Sequence, residues 1–427
     1  MNHATASVSF REAFRFWVKL GFINFGGPAG QIAIMHRELV DRRQWLSEEQ
    51  FLRALNFCML LPGPEAQQLA VYAGARLHGT LGGVVAGTFF ILPSVFVLLA
   101  LSWLAVVYGT VPTVSALFYG IQCAVLGIVL EAVMRIGRRA LRHPALYLFA
   151  AAAFVCIFVL GVNFPWIVLG AALAGAALQS RCPVIFHRGD PESSKTTSEA
   201  PANYPPVSRA VKIVLIFLLL WAIPAAAVLA WRGTDDVLWQ ETVFFTKAAF
   251  VTFGGAYAVL SYVADAAVNH FHWLSAREMV QGLGLAESTP GPLIMVLQYV
   301  GFFGAWNQAG AHDPLANAVL GALLTTYVTF LPSYMFIFVG SPYVEALAAQ
   351  RRLQAALAGV TAAVVGVIAN LAVFFARGVM FHPDGSLDYF ALAIGSITFI
   401  VLLRFKVELY VLVPAAALAG LVWKLLG

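Results

Sequence analysis

Long apolar stretches follow one another along most of this 427-residue chain, separated by short polar segments. Runs at about 81–108, 112–134, 144–161, 164–180, 212–231, 318–339, 354–376, 389–403 and 409–424 read as membrane-crossing helices. Crossing the hydrocarbon core takes roughly 20 apolar residues, fewer where the bilayer is thin or deformed. Four further apolar segments are interrupted: 10–35 at Gly26-Gly27-Pro28, 54–76 at Pro62-Gly63-Pro64, 243–264 at Gly254-Gly255, and 279–303 at Pro290-Gly291-Pro292. Between them, 183–208 collects five prolines among Ser, Thr and charges, and reads as a solvated linker.

The pattern occurs twice. Lys19 to Gly27 (KLGFINFGG) matches Lys247 to Gly255 (KAAFVTFGG) at an offset of 228, and Trp45-Leu46-Ser47 and Pro62-Gly63-Pro64 recur at the same offset. Beyond an insertion near 306–314 the offset is 239: Leu92-Pro93-Ser94 meets Leu331-Pro332-Ser333, and Gly120 and Gly127 meet Gly359 and Gly366. The chain is a duplication, divided here into a first repeat (1–182), a linker with a connecting helix (183–241) and a second repeat (242–427).

Composition narrows the class. Hydrophobic residues make up 60% and charged ones 11%, against roughly 25% charged in soluble domains, so fibrous, disordered and disulfide-stapled chains are excluded. The net charge of +5 marks membrane orientation rather than nucleic-acid binding, because the basic residues gather between apolar runs. Arg135, Arg138, Arg139 and Arg142 crowd one loop of the first half, whereas its counterpart at 377–388 has Arg377 with Asp384 and Asp388. The second half instead gains Arg351, Arg352, Arg404 and Lys406 in the other loops. Cytoplasmic loops favour Lys and Arg, so the halves are expected to be inverted, with the helix at 212–231 supplying the extra crossing. With the amino terminus inside, all but five of the 26 Lys and Arg (Arg232, Lys247, Arg277, Arg377 and Lys424) fall in cytoplasmic segments. The expected fold is an all-α polytopic membrane protein of two inverted repeats with Gly/Pro-broken helices.

The breaks carry the chemistry. A helix that restarts after Gly-Gly-Pro or Pro-Gly-Pro presents free N–H groups and a positive dipole end, which suit an anion. At membrane depth such breaks persist where they are buried in protein or line a wet cavity, and matched breaks in two halves point to a transporter's binding site. The candidate substrate-binding set is Lys19, Asn24, Gly26, Gly27, Pro28, Pro62, Gly63, Pro64 and Gln67 in the first half, with Lys247, Thr252, Gly254, Gly255, Thr289, Pro290, Gly291 and Pro292 in the second. Ionisable groups at this depth cost roughly 2.5–3.5 kcal/mol, so Glu65 and Glu287, with His36 and Arg37, are candidates for coupling or gating. Glu131 lies beside an Arg-rich helix end and reads as a structural pair. Trp45 and Trp273 read as membrane-interface anchors. The four cysteines and the pair His270/His272 have no metal-ligand spacing, and no nucleotide or hydrolase motif occurs. No cofactor or metal is therefore expected.

Phe25-Gly-Gly-Pro28, His36, Trp45 and Leu61-Pro-Gly-Pro64, followed by a second Phe-Gly-Gly, Trp-Leu-Ser and Pro-Gly-Pro, resemble the chromate ion transporter (CHR) family in its long, two-domain form. The resemblance covers both halves. It implies export of chromate across the bacterial inner membrane by a secondary transporter, with sulfate as a structural analogue; a homodimer is left open. Ala256 departs from the pattern, standing where the first half has Pro28. A permease importing sulfate or another oxyanion is the alternative. A membrane enzyme acting on lipid-linked phosphate would need an acidic or histidine cluster at one interface, which the chain lacks.

Overall fold

The computed structural model describes residues 8–186, 205–344, 347, 350–382, 384–405 and 407–426. Part of the expected linker, 187–204, lies outside them. All regular elements described are helices, apart from a lone bridge between Phe381 and Leu387.

The first half begins with α1 (Phe10–Ile23), capped by the Ser9 hydroxyl, and α2 (Gly27–His36), which loosens into a π-turn over Arg37–Arg42. The chain returns through α3 (Glu48–Cys58), which starts with a Ser47/Gln50 capping box. Next, α4 (Glu65–Tyr108) is interrupted at His78 and Gly79. Its two arms fold back on each other, because Gly87 packs against Val71 and Gln67, and Gly82 against the backbone of Gly74. This is a helical hairpin whose arms touch through missing side chains. Then come α5 (Pro112–Ala140), α6 (Pro144–Phe158) and α7 (Phe164–Arg181).

The connecting helix α8 (Val207–Arg232) buries only Ala225 and Val228, as befits a helix facing lipid. The second half repeats the plan: α9 (Val237–Val251), α10 (Ala256–Asp265) with its own π-turn at Ala266–His270, and α11 (Ala276–Ser288) with the equivalent Ser275/Glu278 capping box. Here the hairpin is two separate helices, α12 (Val296–Asn307) and α13 (Pro314–Gly340), and the sequence insertion forms the turn between them. The series ends with α14 (Arg351–Val379), α15 (Tyr389–Phe405) and α16 (Leu409–Leu426).

The halves exchange partners. α5 packs on α15 and α16 of the second half, while its counterpart α14 packs on α6 and α7 of the first. Equivalent glycines make these contacts: Gly120 lies on the Ala416 backbone and Gly127 on Gly395, whereas Gly359 lies on Ala171 and Gly366 on Ala150. Such reciprocity is what a two-fold relation between duplicated halves produces.

Six described helices are long and apolar enough to cross a membrane: α4, α5, α8, α13 (with the turn to Tyr343), α14 and α16. Each of the nine expected runs does form a helix, but α6, α7 and α15, at 15, 18 and 17 residues, are outside these six and only about 22–27 Å long at 1.5 Å per residue. They fall short of a core of roughly 30 Å. The interrupted segments are built from still shorter pieces, α2 and α10 having 10 residues each. Trp45 and Trp273 are not interface anchors. Both are buried, Trp273 within a stack of Phe244, Phe245 and Phe271, and Trp45 against Phe16 and Arg43. The loop after each π-turn is closed onto the first helix of its half, α1 or α9, by that aromatic packing.

Candidate functional site

Two backbone hydrogen bonds organise the site. Gly63 N–H donates to the Thr252 carbonyl at 2.8 Å, and Gly291 N–H donates to the Asn24 carbonyl at 3.2 Å. These are equivalent bonds under the repeat, and each runs from the Pro-Gly-Pro of one half to the Gly-Gly break of the other. The four breaks found in the sequence therefore meet in one place.

Side chains lock the crossing. Gln31 Nε2 donates to the Asn24 carbonyl at 2.9 Å and the Gly291 carbonyl at 2.6 Å. Gln68 Nε2 donates to the Pro62 carbonyl at 2.7 Å, and Asn24 Nδ2 to the Phe90 carbonyl at 2.9 Å. Thr252 Oγ1 turns back to the Ala248 carbonyl, and Thr289 Oγ1 to that of Ala286. Asn24, Gln67, Thr252 and Thr289 are buried, as are Pro62, Gly63, Pro64, Gly291 and Pro292; Pro290 is half-buried. Gly63 and Gly291 hold φ of 120° and 114°, and a Cβ on either would meet a serine: Ser333 Oγ at 2.8 Å or Ser94 Cβ at 2.6 Å. Those serines end the repeated Leu-Pro-Ser triplets.

At the Gly-Gly breaks the backbone is half-buried at Gly26, Gly27, Pro28, Gly254 and Gly255. α2 and α10 begin there, and α4 begins after Pro64, with no side chain capping their first N–H groups. Free helix N-termini attract negative charge, and each break already faces a carboxylate. A Cβ on Gly255 would lie 3.8 Å from Glu65 Oε1, and one on Gly26 would lie 3.6 Å from Glu408 Oε2. Gly254 rests on Val364 of α14, while no atom lies within 4 Å of the Cβ position at Gly27.

A charged cluster flanks the second Pro-Gly-Pro. The Tyr257 hydroxyl donates to Glu287, and Arg135 and Glu131 of α5 act on the same pair through their charges. Arg135 Nε also donates to Glu131 at 3.1 Å, the structural pair expected at that helix end. Other candidates stand apart. His36 contacts Glu48 at 2.6 Å and Asp41 at 3.5 Å, within the charged end of α2. Arg37 is exposed on the same turn. Lys19 and Lys247 are exposed beside the exposed Phe22 and Phe250, opposite the buried faces of α1 and α9. A role for them in binding would require those outer faces to line the path. Among the described residues no group of three or more His, Cys, Asp or Glu could hold a metal ion.

Sequence reading missed Gln31, Ser94, Ser333, Tyr257, Arg135 and Glu408. The serines carried a signal, since Leu-Pro-Ser is repeated. Glu408 carried none, because its contact with Gly26 joins the first half to the turn before α16.

The Chromate transporter family model matches residues 11–176 and 239–421. A "Chromate transport protein" of Pseudomonas aeruginosa is 32% identical over 97% of this chain and 92% of its own length. Another, from Cupriavidus metallidurans, is 28% identical over 98% and 94%, and a "Probable chromate transport protein" of Synechococcus elongatus is 27% identical over 88% and 86%. No solved structure matches. With the family matched in both halves, this multi-pass membrane protein belongs to the chromate transporter family in its two-segment form.

Proposed function

We propose that the protein is a secondary transporter that exports chromate, a tetrahedral oxyanion, across the cytoplasmic membrane, with the crossed breaks as its binding site. The observation that carries this reading is the pair of equivalent bonds from Gly63 to Thr252 and from Gly291 to Asn24. They gather uncapped helix N-termini of both halves around half-buried backbone, where amide groups and dipoles favour an anion. Glu65 and Glu408 occupy the approaches to these N-termini, so an incoming dianion has to find each carboxylate neutralised or displaced. They act as gates. Membrane potential favours export: a dianion leaving a negative-inside cell gains about 4.6 kcal/mol per 100 mV, from about 2.3 per charge. The relatives named as chromate transport proteins support the choice of substrate.

Counterflow of labelled chromate in proteoliposomes tests the reading. Chromate trapped inside should drive uptake of labelled chromate, and external sulfate should compete according to its own affinity. Sulfate counterflow without chromate counterflow would make this a sulfate permease, and neither would end the transport reading.

The inverted orientation rests on the Lys/Arg bias and has its own test. In a background with Cys58, Cys123, Cys156 and Cys182 changed to alanine, Arg139→Cys should be labelled from the cytoplasmic side and Arg377→Cys from the other. Labelling from the same side would exclude inversion. Gly109 and Lys424 belong with Arg377, and Arg352 with Arg139.

A further inference from the structure

We infer that Glu241 is the site that takes up a coupling proton, an inference that rests on the transport reading above. Glu241 lies on α9, one turn inside the membrane-end turn that follows α8, and is wholly enclosed. Its carboxyl group occupies a notch between α12 and α13 made by two absent side chains. A Cβ on Gly304 would lie 2.6 Å from Oε1, and one on Gly321 2.7 Å from Oε2. Trp273 closes the notch, a Cβ on Gly304 standing 2.9 Å from its indole Cγ. Neither carboxyl oxygen has a hydrogen-bond partner of good geometry among the described residues, and the backbone amide of Ala305, inside α12, lies beside the carboxyl.

The surrounding groups do not neutralise it. The charged groups of the α8–α9 turn are Asp236 and Arg232, 3.7 Å apart; Arg232 Nε and Nη1 are buried without a hydrogen-bond partner among the described residues, and no ion pair joins Arg232 to Glu241 there. Arg232 also donates to Asn317 Oδ1 at 2.8 Å, and Asn317 Nδ2 donates to the Ala305 carbonyl at 2.6 Å. α12 and α13 present Gly304 and Gly321 to the carboxyl, and the loop before α11 presents Trp273 beside Gly304. His312, in the turn into α13, packs against Trp231 instead. A carboxylate enclosed with no ion pair of its own is costly to ionise, so closure of the notch favours the acid form. The ionised form needs water, which reaches the notch when α9 separates from the α12–α13 hairpin. Proton uptake and closure of the second half are thus one event. The first half has no such group, since position 13 is a buried alanine, so the proton is carried on one half of the duplication alone.

The experiment compares wild type with Glu241→Gln in proteoliposomes. Gln imitates the protonated acid in size and neutrality. Chromate–chromate exchange should stay within about twofold of wild type, whereas net flux driven by a pH gradient should fall by about tenfold or more. A lumenal pH dye should report proton movement with chromate in wild type and lose it in the variant. Equal gradient-driven flux in both proteins would overturn the proposal, as would chromate flux in wild type without proton movement. If Glu241→Gln does not insert, Glu241→Asp, which keeps a carboxyl group but shortens its reach, replaces it, and gradient-driven flux with the wild-type pH dependence would overturn the proposal. A protein that moves no chromate would overturn the transport reading itself. Glu241 would then be judged by infrared spectroscopy, where a protonated-carboxyl band absent from Glu241→Gln supports the proton site and an unchanged band overturns it.

Discussion

Gly291→Val should cut oxyanion transport roughly a hundredfold while leaving the protein inserted in the membrane, and Gly63→Val should do the same from the other half. Each glycine holds φ near +115°, a region that a β-branched residue enters only with strain of about 1–3 kcal/mol. Space is also lacking, because a Cβ at 291 would sit 2.6 Å from Ser94 Cβ and one at 63 would sit 2.8 Å from Ser333 Oγ and Gln68 Nε2. The backbone has to rotate, and the N–H that reaches across to Asn24 or Thr252 rotates with it. Strain plus one lost buried hydrogen bond amounts to about 3 kcal/mol, or roughly a hundredfold in transport. Chromate counterflow together with the amount of monodisperse protein in detergent gives the measurement. Full activity in both variants would place the binding site away from the crossing. Loss in one alone would mean that the halves serve different steps, as the replacement of Pro28 by Ala256 suggests on other grounds.

The positions of the breaks were legible in the sequence because Gly and Pro interrupt apolar runs in a way no crossing helix requires. Their convergence was not legible, since the bonds from Gly63 to Thr252 and from Gly291 to Asn24 join residues almost 200 positions or more apart. The repeat register nevertheless pairs those bonds once one is known. The turn of the first hairpin at His78–Gly79 falls in the gap between the apolar runs 54–76 and 81–108. Tryptophan misled the reading, because the same residue type serves a lipid headgroup region and a buried aromatic stack; Trp273 is wholly buried. Glu65 was found because a carboxylate beside Pro-Gly-Pro is costly. Glu241 too interrupts an apolar helix, but it has no equivalent in the first half, where position 13 is an alanine, so the repeat does not point to it.

The exchange of helices between the halves makes the second large prediction. Gly366→Leu should sharply reduce the yield of folded protein, and Gly127→Leu should match it. Gly366 lies on the Ala150 and Phe154 backbone of α6, and Gly127 on the Gly395 and Phe399 backbone of α15. Main-chain atoms of a packed helix cannot rotate aside as a side chain can. A leucine therefore has to push α14 from α6, or α5 from α15, along contacts that hold the two halves together. Overpacking within one core costs about 1–3 kcal/mol; displacing whole helices lies at or above the upper end. With about 1.4 kcal/mol per tenfold, the folded-to-unfolded ratio should drop by at least an order of magnitude. Gly170→Leu on α7 is the control, since no atom lies within 4 Å of its Cβ position. It should leave yield and detergent melting temperature unchanged. Normal folding of Gly366→Leu and Gly127→Leu would mean that α5 and α14 do not bind across the halves. Failure of the pair with survival of Gly170→Leu would tie the stability of each half to helices borrowed from the other. Such a protein cannot close one half without moving the helices that frame the second, which couples the two breaks through packing alone.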